Sequence, residues 1–366
     1  MNRQQKPRQV LASVAGMERK ILCAADATDG AKVVRQELLK KVYDPFFKDE
    51  PRDSRGTIVP ISQFSEQGKE FVFNATAWMS AFGHIVDGDD WGPEKTFTRN
   101  NSEKLNNFPV KSGEHGSLAL EDILSAFSED RRRQITFVQQ NVNLEGHGVS
   151  YADTQILYDN HDKNALLQDA QRQLPHQQKH DIIAAWDSIK ALTYIEEALI
   201  PMLYAKGVEH LAAPTTLTNL HVVVMGNQPG AKPGMDRDRP IMSRGYTSIY
   251  PYPAEIPGVF YQGFTRLLRP PEDVHPLIWA ARIFAAFLYI HPFHDGNGRT
   301  ARILANAIIV MHGMPLTVLP HETVIDRFEY IKSLARVAFD DMESLYSMFL
   351  DSVLVTNEEI QKMNRV

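Results

Sequence analysis

Twelve consecutive residues, from His291 to Arg302, combine an imidazole, a carboxylate, two glycines and two arginines. They read HPFHDGNGRTAR and separate two apolar segments, 275–290 and 299–312, whose pattern predicts helices. Glycine lets the backbone turn tightly and bring its amides close to a ligand, and the unpaired amides at a helix N-terminus bind anions. The spacing therefore predicts an anion site where the second helix begins.

Four side chains define the chemistry of this anion site. The guanidinium of Arg299 matches phosphate oxygens, and Arg302 follows one helical turn later on the same face. Asp295 lies at the edge, and Mg²⁺ beside bound phosphates takes one or two carboxylate ligands. His291 can accept a proton from a hydroxyl at neutral pH. Together they predict attack of a hydroxyl group on a nucleotide phosphate.

The same stretch resembles the signature HPFx[D/E]GNGRxxR of the Fic family, with every specified position filled. The helices on both sides, and the segment 326–354, are similar to the family's central and closing helices, so the resemblance covers roughly residues 190–352. It implies a mainly α fold, a Fic-type helical bundle with a small β-hairpin flap. The flap falls on residues 241–258, where it would clamp the side chain that is modified.

The resemblance implies a protein adenylyltransferase, which moves AMP from ATP to a Ser, Thr or Tyr hydroxyl of a target protein and releases pyrophosphate. His291 is then the general base and Asp295 the Mg²⁺ ligand, and the implied cofactors are ATP and Mg²⁺. The target protein would dock on the flap at residues 241–258. The remaining implied residues bind the nucleotide phosphates: Gly296, Asn297, Gly298, Arg299 and Arg302.

A second motif implies regulation. Many Fic proteins carry an inhibitory helix with the pattern [S/T]xxxE[G/N], whose glutamate pairs with the second arginine of the signature. The segment from Asn141 to Gly146 is similar, with Asn141 in place of Ser or Thr. The resemblance implies that Glu145 forms an ion pair with Arg302 and competes with the γ-phosphate for that guanidinium. The structural alternative is a helix that simply ends in Glu and Gly.

Two departures from family patterns bear on the nucleotide. Ala338 stands where some relatives place an asparagine that contacts the nucleotide, so adenine binding is less defined by the sequence than phosphate binding. The GNGR loop carries no lysine, unlike the family's phosphorylating branch, and this favours transfer of AMP over transfer of phosphate.

The composition indicates a soluble globular protein of two or three domains. The chain has 366 residues, 43% hydrophobic and 23% charged, with a net charge of −6. This acidic balance argues against a nucleic-acid partner, and a single cysteine favours a reducing compartment. The apolar run 277–290 is too short to span a bilayer, and the N-terminus lacks a secretory signal. We therefore expect a cytoplasmic protein that does not associate with membranes.

The sequence divides into four expected parts. These are an N-terminal region of unknown function and mixed or irregular structure (1–130), a helical segment with the inhibitory helix and a linker (131–214), the Fic core with the flap (215–355) and a C-terminal tail (356–366). The polar stretch 159–181 contains His176 and His180, four residues apart. Since no third ligand lies near them in the sequence, we interpret them as a solvated pair and not as a metal site.

Several functions remain open at this stage. Glu145 could position water for the reverse reaction, the removal of AMP from a modified protein. The same pocket could transfer another nucleotide. A third alternative is a non-catalytic interaction module that binds a partner through residues 1–130, although the intact His291 and Asp295 argue against it. A homodimer, common among relatives, is compatible with the sequence, and the target protein and its modified residue are not specified.

Overall fold

The computed structural model describes residues 118–363, except 129–130, 164, 239–249, 273, 322–323, 326 and 338–341, together with residues 78–79, 83–87 and 91. Three features of the sequence analysis lie wholly or largely outside these residues. They are Ala338, the first half of the expected flap at 241–249 and most of the N-terminal region 1–130.

The described part of the chain is built almost entirely of helices, which confirms the mainly α fold class. In chain order these are α1 (Leu120–Ser128), α2 (Arg131–Asn143), α3 (Tyr151–Asp162), α4 (Leu167–Gln173), α5 (Lys179–Tyr194), α6 (Ile200–Lys206), α7 (Pro214–Met225), α8 (Ile256–Val259), α9 (Thr265–Leu267), α10 (Pro276–Ile290), α11 (Asn297–Met311), α12 (Arg327–Val337) and α13 (Glu343–Met363). Short 3₁₀ turns lie at Gly83–Ile85, Val208–Ala212 and Pro253–Glu255, and π-helical turns at Ile195–Leu199 and Phe260–Phe264.

Helices α10 and α11 form the centre of the core, and nearly every residue of both is buried. A helix that is apolar on all sides must be covered on all sides. The start of α10 is well defined, since the His275 imidazole accepts a hydrogen bond from the Leu277 N–H and Pro276 occupies the first helical position. The loop 291–296 joins α10 to α11, which pack against each other. The core thus holds both ends of this loop.

Two further groups of helices surround this pair. Helix α13 packs against α10 and α12, while α5 packs against α2, α3 and α7. Both α2 and α7 in turn contact α11. Since α2 contacts α11 and ends at Asn143, the turn 144–146 that follows α2 also lies beside α11. None of the helices in the described ranges is long and apolar enough to cross a membrane.

The expected β-hairpin over 241–258 is not found where this segment is described. Residues 250–252 are irregular, Pro253–Glu255 form a 3₁₀ turn and α8 follows. The prolines explain the difference, because a proline cannot donate to a strand ladder and is favoured in the first turn of a helix. Glu255 fixes this turn by accepting hydrogen bonds from the Tyr252 N–H at 2.6 Å and the Trp78 N–H at 2.8 Å.

Two further segments are helical. The polar stretch 159–181, for which the sequence allows a linker or an exposed helical excursion, contains the end of α3, all of α4 and the start of α5, so most of it is helix. The last helix, α13, continues to Met363, beyond residue 355 where we expected the core to end.

Candidate active site

The loop 291–296 changes the direction of the chain through two residues in the left-handed conformation. His291 has φ of 48° and Gly296 has φ of 73°. Among the described residues, His291 is the one non-glycine residue with positive φ, a conformation that costs an L-residue about 1–2 kcal/mol. Gly296 is also required sterically, because a Cβ there would lie 2.7 Å from Cγ of Met225.

The side chain of Asn297 keeps the loop in shape. Its Oδ1 accepts a hydrogen bond from the Phe293 N–H at 3.0 Å, and its Nδ2 donates to the Phe293 carbonyl at 2.8 Å. On the other side of the loop, Asp236 and Phe293 form an isolated antiparallel bridge. The amide of Asn297 is thus engaged with the loop backbone, which leaves its main-chain N–H as the group that can face an anion.

The imidazole of His291 has a defined tautomer. Its Nδ1 lies 3.1 Å from the Leu288 carbonyl, which can only accept, so Nδ1 carries the proton and Nε2 keeps its lone pair. Burial and the positive charge of Arg237 together lower the pKa of His291 to about 4. Tyr250 stacks on the ring with 4.2 Å between centroids. At neutral pH the site therefore contains an uncharged imidazole with a basic nitrogen.

Arg237 orients His291 by holding its backbone. Arg237 is not among the site residues predicted from the sequence. The side chain is buried, and its Nε donates to the His291 carbonyl at 2.7 Å while Nη2 donates to the Pro251 carbonyl. Its main-chain N–H donates to the Pro292 carbonyl at 2.8 Å. No sequence pattern distinguishes Arg237 from the other charged residues of its loop.

Arg299 is a buried cation with unsatisfied donors. Only 2% of it is exposed, and its Nη2 contacts Sδ of Met225 at 3.0 Å. Nε and Nη1 are buried without a hydrogen-bond partner among the described residues. Buried charged donors without acceptors are unfavourable, whereas a phosphate at the start of α11 would supply acceptors for them and for the unpaired first-turn amides. The arrangement therefore fits an oxyanion.

Asp295 lies at the solvent-exposed edge of this anion site. Its Oδ1 accepts a hydrogen bond from the Gly296 N–H at 2.7 Å. An exposed carboxylate beside a phosphate site supplies the oxygen ligand that Mg²⁺ prefers. Asp295 is thus the residue that would hold a Mg²⁺ ion at this site.

His221 on α7 ties the loop to its surroundings, and the sequence analysis missed it as well. Its Nδ1 accepts from the Gly234 N–H at 2.8 Å, so its Nε2 carries the proton and donates to the Asp295 carbonyl at 2.9 Å. The ring also stacks on Phe293 with 3.7 Å between centroids. Burial lowers the pKa of His221 to about 4, which keeps this tautomer uncharged. In the sequence, a lone histidine on an apolar helix gives no such signal.

Arg302 is fully buried, and its side-chain partners come from α2, from the turn after it and from Tyr330 on α12. Its Nη2 donates to Oε1 of Glu145 and, at 3.1 Å, to the Asn141 carbonyl, while its Nε donates to Oδ1 of Asn141. Burial by itself would raise the pKa of Glu145, but the positive charges of Arg302 and Arg299 outweigh it and lower that pKa. The structure thus brings the predicted pair together, with the carboxylate ionised at neutral pH.

The end of α2 places this carboxylate on the anion site. Gly146 has φ of 96°, and the His147 N–H returns to the Val142 carbonyl at 3.2 Å, a common way for a helix to end. The segment is therefore both an ordinary helix end, with Glu145 followed by Gly146, and the source of the predicted ion pair with Arg302. A Cβ on Gly298 would overlap Oε1 of Glu145, so the carboxylate rests directly on the first turn of α11.

Comparison with known proteins identifies the region around this site. Residues 212–309 match the model of the Fic/DOC family. A protein adenylyltransferase Fic from Nematostella vectensis is 45% identical over 65 residues, 18% of this chain and 15% of that protein. One from Drosophila mojavensis is 28% identical over 144 residues, 39% of this chain and 27% of that protein. The matched stretches thus span about a quarter or less of these curated relatives.

Solved structures show the same fold. Fic-1 from C. elegans is similar over 100% of this chain and 99% of its own, with a TM-score of 0.53 and 17% identity. A Fic family protein from Desulfovibrio desulfuricans G20 is similar over 74% of this chain and 77% of its own, with a TM-score of 0.50 and 18% identity. The family match includes the two central helices and the loop between them. Residues 212–309 of this chain therefore match the Fic/DOC family, and the segment from His291 to Arg302, which fits the signature of that family, lies within the match.

Proposed function

We propose that this chain is a protein adenylyltransferase that transfers AMP from ATP to a hydroxyl side chain of a target protein and that Glu145 inhibits it. One observation carries the proposal. A neutral imidazole, the N-terminus of α11 and the buried guanidinium of Arg299, whose Nε and Nη1 have no partner among the described residues, meet around one loop. The printed names of the relatives from Nematostella and Drosophila support the same activity.

The residues of the loop can carry out each part of this reaction. Nε2 of His291 takes the proton of the target hydroxyl while its oxygen forms a bond to the α-phosphorus. The bond from the α-phosphorus to the oxygen bridging to the β-phosphate breaks, and pyrophosphate leaves. Arg299 and the first-turn amides of α11 hold the phosphate oxygens as their charge develops. Asp295 would hold Mg²⁺, which neutralises phosphate charge when bound.

Inhibition follows from the position of Glu145. Its ionised carboxylate engages Arg302, the guanidinium that the third phosphate of ATP would need, and it lies against Gly298 in the first turn of α11, where the inner phosphates would bind. A phosphate and a carboxylate cannot both accept hydrogen bonds from the same donors at one time. We infer that productive ATP binding requires the turn 144–146 to move away.

Intact mass of the purified protein tests both parts of the proposal. Wild type, Glu145→Gly, Glu145→Gln and the double variant Glu145→Gly/His291→Ala are incubated with Mg²⁺ and ATP. We expect a gain of one AMP in Glu145→Gly, less in Glu145→Gln and in wild type, and none in the double variant. Glu358→Gln is the matched control, because this exposed glutamate on α13 lies 3.9 Å from Lys362 and far from the loop in sequence. A gain in the double variant would contradict the assignment of the base.

Incubation with a lysate separates an inactive enzyme from one that needs its target. The lysate is supplied with ATP labelled on the α-phosphate, and protein-bound label is followed. Label transferred by Glu145→Gly but not by the double variant supports the proposal even if the chain does not modify itself. Absence of label with ATP, CTP, GTP and UTP would contradict nucleotide transfer altogether.

A further inference from the structure

Three side chains of types that can ligate metal ions meet outside the signature loop. They are His147, which follows the turn after α2, and His180 and Asp181, which begin α5. One ligand atom from each lies within 4.8 Å of the other two. Oδ1 of Asp181 accepts from Nδ1 of His147 at 2.8 Å and lies 3.2 Å from Nε2 of His180. His147 and His180 are 33 positions apart in the sequence, so the cluster joins the segment after α2 to the start of α5.

This cluster changes the interpretation of the two histidines noted in the sequence. His176 and His180 do not share partners: His176 lies 3.0 Å from Oδ1 of Asp153, whereas His180 joins His147 and Asp181. The third ligand that the sequence lacked nearby is His147, which only the packing of α2 against α5 brings close.

The donor set is suited to a transition metal. Two imidazoles and one carboxylate match zinc and its neighbours in the first transition row, whereas Mg²⁺ and Ca²⁺ prefer oxygen ligands. Tetrahedral zinc with bonds of about 2.0–2.1 Å separates its ligand atoms by about 3.3 Å. The two distances to Asp181 are within half an ångström of that value. The two histidine nitrogens lie within 4.8 Å of each other, so a tetrahedral ion would draw them together by at most about 1.5 Å.

Burial and access also fit a metal site. The side chain of Asp181 is 7% exposed and that of His147 is 17% exposed, so two ligands are held by the surrounding protein. The side chain of His180 is 56% exposed, which leaves a path for an ion from solvent and a coordination position for water.

We propose that His147, His180 and Asp181 bind a divalent transition-metal ion, with Zn²⁺ as the natural occupant, and that the ion fastens the inhibitory turn to α5. His147 is two residues after Glu145, so fixing His147 restricts the segment that must move for ATP to reach Arg302. The binding site stands by itself, while its effect on activity rests on the proposed function.

Metal binding is measured first, without nucleotide, on tag-free full-length protein stripped with a chelator. Titration calorimetry with Zn²⁺ and visible absorption with Co²⁺ are applied to wild type, His180→Ala and His176→Ala. The last is the matched control, because His176 is another exposed histidine of the same polar segment. We expect one ion in wild type and in His176→Ala, and affinity at least tenfold weaker in His180→Ala. Equal affinity in wild type and His180→Ala, or no binding by wild type at micromolar Zn²⁺, would overturn the site.

The effect on the inhibitory turn has its own measurement. Zn²⁺ should slow amide hydrogen exchange over residues 144–150 in wild type and not in His180→Ala. In the transfer assay, Zn²⁺ should lower the basal activity of wild type but not that of Glu145→Gly, which has no inhibitory carboxylate to hold. Unchanged exchange, or equal inhibition of wild type and Glu145→Gly, would overturn the coupling. Metal binding and hydrogen exchange are measured without ATP. If the proposed transferase activity fails, both measurements can therefore still be interpreted.

Discussion

The carboxylate of Glu145 and the guanidinium of Arg302 form an ion pair although 157 positions separate them in the chain. The pair lies on the first turn of α11, where Gly298 has no side chain to keep the carboxylate away. Arg302 is 1% exposed, so removing Glu145 leaves an uncompensated guanidinium in the protein interior. The same guanidinium thus serves as an anchor for the turn after α2 and as a candidate phosphate ligand.

Asn141 should contribute to inhibition by holding Arg302. In Asn141→Ala one acceptor of the buried guanidinium is lost, a hydrogen bond to a charged group worth about 1.5–3 kcal/mol. We expect basal AMP transfer to rise roughly tenfold or more, though less than in Glu145→Gly. Asn141→Ser, which keeps a hydroxyl acceptor, is the control. If Asn141→Ala instead lowers transfer in a Glu145→Gly background, Asn141 serves nucleotide binding and not inhibition.

Arg302 should be needed for ATP affinity once Glu145 is absent. We expect Arg302→Ala in the Glu145→Gly background to raise the Kd for ATP about tenfold to a hundredfold, because a charge-assisted contact to the outer phosphate is lost. Calorimetry with ATP and Mg²⁺ measures this change. Arg131→Ala, which removes an exposed arginine paired with Asp159 and Asp162 on α3, is the control. Unchanged affinity would remove Arg302 from the phosphate site.

His291 should be essential for transfer, and the left-handed backbone decides which replacement tests it cleanly. Both His291→Ala and His291→Asn remove the base, so both should abolish AMP transfer in the Glu145→Gly background. Asparagine tolerates positive φ better than alanine. We therefore expect thermal unfolding to show His291→Ala as the less stable of the two by about 1 kcal/mol. Residual transfer in the more stable variant would contradict general-base catalysis by His291.

The pH profile should lack the fall near pH 6.5 that an ordinary histidine base would give. Because the pKa of His291 is lowered to about 4, the basic form persists as the pH falls from 8 to 5. Loss of Glu145 removes a charge that raises this pKa, so Glu145→Gly should keep its rate to an even lower pH. Single-turnover rates at saturating Mg²⁺ and ATP measure the profile, with circular dichroism to verify folding. A midpoint near pH 6.5 would contradict the environment described for His291.

The same pKa shift predicts how stability depends on pH. The folded state holds His291 neutral below the pKa of about 6.5 that it has when unfolded, so the unfolded state binds the proton first. This histidine therefore lowers the free energy of unfolding as the pH falls from about 6.5 towards 4. His291→Asn should flatten the pH dependence of urea unfolding in that window, and an unchanged slope would contradict the shift.

His221 should position the loop without touching the substrate. His221→Phe keeps an aromatic ring for stacking on Phe293 but loses the hydrogen bonds to Gly234 and to Asp295. A typical hydrogen bond contributes about 0.5–1.5 kcal/mol to stability, and both bonds are part-buried, so the melting temperature should fall. We expect kcat to fall more than the affinity for ATP changes, because the position of Asp295 is disturbed. A lower melting temperature with unchanged kcat would limit His221 to a structural role.

The signature loop was predictable from the sequence because the residues that carry its chemistry follow one another in the chain. Glycines for the turn, arginines one helical turn apart and the flanking apolar helices are all local properties, and the folded loop keeps them in the expected order. The ion pair between Glu145 and Arg302 was predicted through a resemblance and not through spacing, since nothing in 157 positions of sequence specifies which buried arginine a glutamate meets.

Two of the partners that complete the site were decided by packing alone. Arg237 and His221 contact the loop from two different segments, and each looks ordinary in its own sequence context. Asn141, which contacts Arg302, was indicated through the resemblance to the inhibitory motif. In the described part of the segment expected to form the hairpin, residues 250–258, the chain is helical from Pro253 onwards, because prolines there favour a helix start over a strand. Likewise, the cluster around His180 exists only because α2 packs against α5. Sequence determined the local chemistry of this protein, while the packing of distant helices decided which charges are paired, which are buried without partners and which histidines stay neutral.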